Sequence, residues 1–209
     1  MDISIIFFLI ILIFSIIIHE VSHGTVANYL GDPTAKYAGR LTLNPLKHLD
    51  PIGSVFLPIL LILTTGRGIG WAKPVPINPY NFRDQKYGAL KIAIAGPVSN
   101  LIIALFFGLL LRILISLNFI LPSIYSIFSF IVSINILLAV FNLIPIPPLD
   151  GSHILFTFLP ASMQRTKIFL GQFGFLILLF FIFFFPPFFN ILNYITNGIF
   201  TLIVGAPPF

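Results

Sequence analysis

The chain has 209 residues, of which 58% are hydrophobic and 8% are charged, whereas about a quarter of the residues in soluble domains are charged. This composition excludes an ordinary soluble domain and predicts one membrane-embedded domain over residues 1–209. The formal net charge is +5, but the basic residues are scattered through proline-rich loops and do not indicate nucleic-acid binding. The chain has no cysteine, so any bound metal must use His, Asp or Glu side chains.

Five apolar stretches are long enough, or nearly so, to cross a membrane as helices. They are residues 3–30, 90–111, 122–142, 168–185 and 188–204. The predicted fold is therefore an all-α membrane protein, a polytopic helical bundle of about five spans. We expect a core over residues 1–151 and a C-terminal helical hairpin over 168–205, interrupted by Pro186 and Pro187.

The region between the first and second spans does not match a regular span. Residues 51–66 are apolar but contain Pro58, and their apolar part is short, which predicts a re-entrant or interfacial element. The stretch GWAKPVPINPYNF, residues 70–82, contains too many prolines for a regular helix. We expect an extended strand or loop there, covered by the bundle or reached by water.

The hydropathy of residues 51–66 leaves open whether they cross the membrane. The placement of charges favours a topology in which they do not. In that case ten of the eleven Lys and Arg residues lie on one side, and only Arg112 lies on the other. The positive-inside rule then makes that side cytosolic and places the N-terminus outside.

The first stretch contains the motif H-E-x-x-H, formed by His19, Glu20 and His23. On a helix, positions i and i+4 share one face about 6 Å apart, so both imidazoles can reach one zinc ion. Glu20 is placed beside them to act as a general base, the role that this motif has in metalloproteases. A chance match is the alternative, but ionisable residues inside a span are costly and usually have a function or a partner.

A catalytic zinc site needs a third protein ligand and one open position. The candidate is Asp150 in FNLIPIPPLDG, residues 141–151, where the prolines must end the helix and leave the aspartate on an irregular turn. An ordinary turn aspartate is the alternative. Asn142 lies near the end of the third span, where it either donates a hydrogen bond to a developing oxyanion or satisfies loop backbone.

Three motifs together resemble those of the site-2 protease family, which are intramembrane zinc metalloproteases. HEVSH lies in the first span, AGPVSN at residues 95–100, and NLIPIPPLDG at residues 142–151, in the family's order. The resemblance implies that His19, His23 and Asp150 bind one Zn2+ per chain. It also implies that Glu20 is the catalytic base and that Asn142 assists at the reacting carbonyl.

The second motif is similar to the family's G-P-x-x-N stretch, which packs the core spans together, so we expect a packing role for Asn100 rather than substrate contact. Many members carry a PDZ or sensor domain, for which this sequence has no room, and it resembles the compact subset. The resemblance implies peptide-bond hydrolysis in transmembrane protein substrates within the lipid bilayer. The expected location is the cell membrane, with several spans and the active site toward the cytosolic side.

The sequence also allows two functions other than proteolysis. A divalent-cation carrier or a non-catalytic membrane zinc-binding protein would also place histidine and aspartate in spans, although a carrier more often shows several acidic groups along a path. His48 and Asp50 could bind metal, but we expect them to order a turn or to line the site. We expect His153 to lie beside the zinc ligands without binding the metal, or to lie at the membrane interface. Residues 71–80 are a candidate for part of a strand-like edge that holds an unwound substrate.

Overall fold

The structure is a computed structural model that describes residues 3–50, 53, 56, 73–119 and 121–207. Within these ranges it contains α-helices and short 3-10 turns and no β-strand, which confirms the predicted all-α fold. The helices are α1 (Ile3–Tyr29), α2 (Thr34–Tyr37), α3 (Gly88–Ser116), α4 (Pro122–Asn142), α5 (Asp150–Phe158), α6 (Gln164–Phe184) and α7 (Pro187–Val204).

Five helices in the described ranges are long and apolar enough to cross a membrane, as predicted. They are α1, α3, α4, α6 and α7. The second span is longer than expected, because α3 continues past Arg112 to Ser116. The Arg112 guanidinium accounts for this, since it lies 3.4 Å from the carbonyl oxygens of Leu202 and Ile203 at the end of α7. Cations are favoured at the C-terminal end of a helix.

Helix α3 is the centre of the bundle and packs against α1, α4, α5 and α7. Small residues allow this close packing, as is common between membrane helices. A Cβ at Gly108 would lie 2.5 Å from Ile203 Cγ2, so the glycine lets α7 approach α3. The buried core between α3, α4 and α7 consists of Ala104, Leu111, Val132, Ile136, Phe200 and Val204.

Helices α1 and α4 are joined by a buried polar contact. The Asn135 amide donates a hydrogen bond to Ser15 Oγ over 3.0 Å, and both residues are buried. Such bonds between membrane helices contribute roughly 0.6–2 kcal/mol. The contact fixes α1, which carries His19 and His23, relative to α4, which leads to Asp150.

The region between α1 and α3 is described only in part. The predicted re-entrant element, 51–66, lies almost entirely outside the described residues. Its flanks are adjacent, because the Lys73 N–H donates to the carbonyl oxygen of His48 over 2.9 Å. Residues 73–78, the sequence KPVPIN, have no regular secondary structure and are called the proline segment below. They lead to a 3-10 turn at Pro79–Asn81, and Asn78 is extended with φ −112° and ψ 103°.

Candidate metal centre

His19 and His23 lie one turn apart on α1 and are both buried. Their Nε2 atoms are 3.0 Å apart, and the rings meet edge to face. The helical spacing predicted from H-E-x-x-H therefore holds. Both side chains point into the bundle against α3.

Asp150 is brought to the two histidines by the turn that follows α4. Helix α4 ends at Asn142, three prolines follow within residues 143–149, and α5 begins at Asp150 itself. Gly151 lets the start of α5 pack closely against the turn at Leu143, because a Cβ at residue 151 would overlap the carbonyl oxygen of Leu143. Asp150 Oδ2 lies 3.1 Å from His19 Nε2 and 3.3 Å from His23 Nε2.

The other nitrogen of each imidazole fixes its tautomer. His19 Nδ1 is 3.1 Å from Asn100 Oδ1, and His23 Nδ1 is 2.7 Å from the carbonyl oxygen of Ile92. Both partners are oxygens that only accept hydrogen bonds. Each Nδ1 therefore carries the ring hydrogen, and each Nε2 presents a lone pair to the centre.

These contacts test whether the three residues fit a metal ion. Two imidazole lone pairs and one carboxylate oxygen converge within 3.3 Å of one another. Asp150 Oδ2 is buried and receives no hydrogen bond from the described residues. Such atoms repel unless a cation lies between them. Tetrahedral zinc with bonds of about 2.0–2.1 Å separates its ligand atoms by about 3.3 Å, so the donor set fits zinc.

Gly96 on α3 provides the space in which the two imidazoles meet. A Cβ at this position would lie 2.5 Å from Nε2 of both His19 and His23. The A-G-P-V-S-N motif therefore has two contacts with the centre, through Gly96 and through the Asn100 side chain that orients His19. Asn100 thus does more than the expected helix packing.

Glu20 lies beside the histidines and contacts the proline segment. The Val75 N–H donates to Glu20 Oε2 over 2.9 Å. A backbone N–H directed at a carboxylate both orients it and stabilises its charge. The predicted general base is therefore held by a backbone N–H, which cannot be recognised as part of a sequence motif.

A cavity of about 380 Å³ opens onto the centre. Asn142 lies in its wall, and the side-chain amide donates one hydrogen bond to the carbonyl oxygen of Leu138 over 2.9 Å. The second hydrogen of this amide has no acceptor among the residues that the structure describes. His153 also lines the cavity but is exposed. The remaining lining residues include Pro74, Val75, Ile77, Phe82 and Pro148.

His48 and Asp50 do not line this cavity. His48 Nε2 donates to the carbonyl oxygen of Thr42 over 2.8 Å, and its own carbonyl accepts from Lys73. Asp50 Oδ1 accepts from the Gly53 N–H over 3.1 Å. These contacts agree with the turn-ordering role, and neither residue belongs to the potential metal-binding group.

The chain is similar to proteins that are named zinc metalloproteases. A Bacillus subtilis protein named "Putative zinc metalloprotease YwhC" is 40% identical over 179 residues, which cover 83% of this chain and 78% of that protein. The chain belongs to the M50 family of zinc metalloproteases. The sequence profile described as peptidase family M50 matches residues 117–184, the part that contains Asp150. The predicted membership of the site-2 protease family is confirmed.

Two further relatives come from mycobacteria. The proteins named "Putative zinc metalloprotease Rip2" from Mycolicibacterium smegmatis and Mycobacterium tuberculosis are 33% and 30% identical over 165 residues. The alignments cover 78% and 79% of this chain but 61% and 62% of those proteins. No solved structure shows a significant match to the chain. With its five apolar helices, this M50 member is a multi-pass membrane protein.

Proposed function

We propose that this chain is an intramembrane zinc metalloprotease that hydrolyses peptide bonds in or near transmembrane segments of membrane proteins. The observation that carries the proposal is the position of the centre. His19 and His23 belong to a helix that is apolar along its length, and they meet Asp150 in a cavity between the spans. A protease acting on soluble chains has no need to bury its ligands among apolar helices.

The metal would be held by His19, His23 and Asp150, one Zn2+ per chain. When bound, zinc supplies Lewis-acid chemistry, which polarises a carbonyl and lowers the pKa of water toward about 7. Glu20 takes the proton of the attacking water and returns it to the leaving amine. Asn142 lines the cavity, and its second amide hydrogen would donate to the oxyanion that develops on the scissile carbonyl.

A transmembrane substrate must unwind before it can be cut, because a helix keeps its carbonyls in internal hydrogen bonds. The proline segment offers an edge for the unwound strand. In an extended chain, residues 75 and 77 face the same side, and both line the cavity. The Ile77 N–H has no acceptor among the described residues, so it is free to bond a substrate carbonyl.

We place the protein in the cell membrane with the centre toward the cytosol. Glu20 and the histidines lie in the second half of α1, next to loops that carry most of the Lys and Arg residues. The adjacency of His48 and Lys73 supports a single side for these loops. The positive-inside rule assigns that side to the cytosol.

The decisive experiment replaces Glu20 by Gln in purified protein. The substitution keeps the shape of the side chain and its ability to accept from Val75, but it removes the basicity. Loss of a positioned general base typically lowers the rate by about 10²–10⁴. We expect the variant to retain the zinc content of the parent, measured by elemental analysis, and to fail to cut a model transmembrane peptide whose cleavage site mass spectrometry places within the span.

The matched control is Asp84→Asn, which removes the charge of a half-buried carboxylate that is paired with Lys91 outside the cavity. It should cleave like the parent. Cleavage by Glu20→Gln at the parental rate would refute the mechanism. Loss of zinc from Glu20→Gln would make Glu20 a ligand and favour the carrier or binding protein over the protease.

A further inference from the structure

The proline segment that holds Glu20 is itself held by residues outside the metal centre. Its sequence gives it little means of ordering itself, because Pro74, Pro76 and Pro79 have no N–H. Of the three N–H groups between residues 74 and 79, that of Val75 bonds Glu20 and that of Asn78 bonds Asp32. The position of the segment therefore depends on these two carboxylates and on contacts at its first residue.

Asp32 is fully buried and collects donors from two parts of the chain. Its Oδ2 accepts from the Asn78 N–H over 2.7 Å, and its Oδ1 accepts from the Asn81 side-chain amide over 2.9 Å. Thr34 donates to the same Oδ1 through its N–H and its hydroxyl. One carboxylate thus satisfies four donors, more than the single acceptor oxygen of an amide would accommodate.

The backbone of Asp32 is fixed to the helix that carries Glu20. The Asp32 N–H donates to the carbonyl oxygen of Ala27 in α1 over 2.9 Å. Gly31 makes this reversal with φ of +107°, a conformation that favours glycine. Asp32 therefore connects the end of α1 to Asn78. From Asn78 the proline segment runs to Val75, which bonds Glu20 on the same helix, so these contacts form a closed loop.

The stretch between the two bonds is stiff. Pro76 has a fixed φ, and a following proline restricts both Val75 and Asn78 to extended conformations. The N–H groups of residues 75 and 78 point to opposite edges of an extended chain, which matches their bonds to Glu20 and Asp32. A shift at Asn78 must therefore move the Val75 N–H.

The first residue of the segment has a second anchor. Arg40 is buried, and its Nη2 donates to the carbonyl oxygen of Lys73 over 2.6 Å. The Lys73 N–H in turn donates to the carbonyl oxygen of His48. Arg40 and Asp32 hold opposite ends of the segment, with Val75 between them.

We propose that Asp32 is a positioning residue for the proteolytic reaction. It fixes the position of the proline segment, so that the Val75 N–H orients the Glu20 carboxylate. Arg40 is the corresponding anchor at the other end of the segment. The proposal rests on the proposed protease function for its kinetic part. It assigns to Asp32 no contact with metal or substrate. Its effect on the rate passes through one backbone hydrogen bond, which makes the link testable.

The kinetic test is a double-mutant cycle with Asp32→Asn and Val75→Pro, with rates expressed per bound zinc. Val75→Pro removes the N–H, and residue 75 is already restricted to extended conformations by Pro76. Each single variant should lower kcat roughly 10- to 100-fold, because a displacement of about 1 Å near the chemistry can cost about 10². The kcat of the double variant should lie within about 2-fold of the kcat of the slower single variant, since the two substitutions remove the same interaction.

A merely structural role predicts a different pattern. Asp32→Asn would then yield less folded, zinc-loaded protein while kcat per zinc stayed at the parental value, and this outcome overturns the proposal. Multiplicative losses in the double variant also overturn it. Should Asp32→Asn fail to fold, Arg40→Gln tests the same link from the other end, with the same expected loss of kcat. Asp84→Asn is the matched control and should keep the parental kcat.

A second measurement does not depend on cleavage. Hydrogen exchange can be followed by mass spectrometry. The proline segment has only four backbone amides that exchange, those of residues 73, 75, 77 and 78. Asp32→Asn should speed exchange at Val75 as well as at Asn78. Faster exchange at Asn78 alone would show that the segment does not transmit the change and would refute the proposal. A parent that cuts no peptide while this exchange pattern holds would instead refute the protease function.

Discussion

The backbone of Gly96 and the imidazole of His19 are in such close contact that a single added methyl group at Gly96 would lie 2.5 Å from His19 Nε2. Metal-binding motifs are usually described by their ligands. Here the absence of a side chain on α3 is as necessary as the two imidazoles on α1, because both Nε2 atoms occupy the space that a Cβ would fill.

Gly96→Ala should therefore impair zinc binding. The methyl group must displace His19, His23 or α3, and contacts below 3.0 Å are not tolerated by backbone and ring atoms. We expect zinc affinity, measured by chelator competition, to fall at least about 10-fold, with a parallel loss of activity. Gly171→Ala is the matched control on α6, where a Cβ meets nothing within 4 Å. Equal zinc affinity for the parent and Gly96→Ala would contradict the geometry.

Asp150→Ala should lower zinc content to well below one ion per chain. Two histidine ligands remain, and the group of potential ligand atoms found among the described residues contains only His19, His23 and Asp150. Elemental analysis of the purified variant, compared with Asp84→Ala, measures the effect. Retention of full stoichiometry would point to His153 as the third ligand, because it lines the same cavity, whereas the His48 ring is bonded to Thr42.

Labelling should place Lys47 and Lys86 on the same side of the membrane. The two residues flank the region 51–72, and the hydrogen bond between Lys73 and His48 brings the ends of that region together. Single cysteines introduced at these positions into the cysteine-free chain should react with a membrane-impermeant reagent only from the cytosolic side. Reaction from opposite sides would refute the proposed topology.

The stability contributed by Asp32 should depend on pH. Burial alone would raise the pKa of Asp32, but hydrogen bonds from Thr34, Asn78 and Asn81 outweigh it and hold the pKa below its ordinary value. A lowered pKa adds stability above the pKa of the unfolded chain, about 3.9, and this stability is lost as pH falls through the folded value. The difference in thermal midpoint between the parent and Asp32→Asn should therefore shrink below about pH 4. A constant difference would contradict the carboxylate's role.

The sequence alone was sufficient to predict the spans and the three residues that converge. Continuous stretches of about 20 apolar residues cross lipid as helices, and the i, i+4 spacing of His19 and His23 is a local property of α1. Asp150 was a candidate third ligand because of its place on the proline-rich turn, and the resemblance to the family then implied that it binds zinc. Its distance from His19 depends on tertiary packing, which the spacing of residues along the chain does not contain.

Other parts of the centre could not be predicted in this way. Gly96 was part of a quoted motif, but its role depends on a neighbouring helix that fills the space beside it. Val75 contributes a backbone N–H, which any residue except proline possesses, so its identity carries no signal. The only available hint was the alternation of prolines around it, which leaves few donors and makes each one conspicuous. Asp32 was likewise hidden, because its partners come from residues 34, 78 and 81.

The alternating prolines also limit how far the proline segment can pair with other chains. An open strand edge ordinarily invites pairing with other chains and is a starting point for aggregation. Along the edge that faces away from Glu20, Pro74 and Pro76 have no N–H, and the N–H of Asn78 is already bonded to Asp32. Among residues 74–78, that edge therefore has no free N–H to donate to a further strand, which makes it a poor template for pairing with another chain.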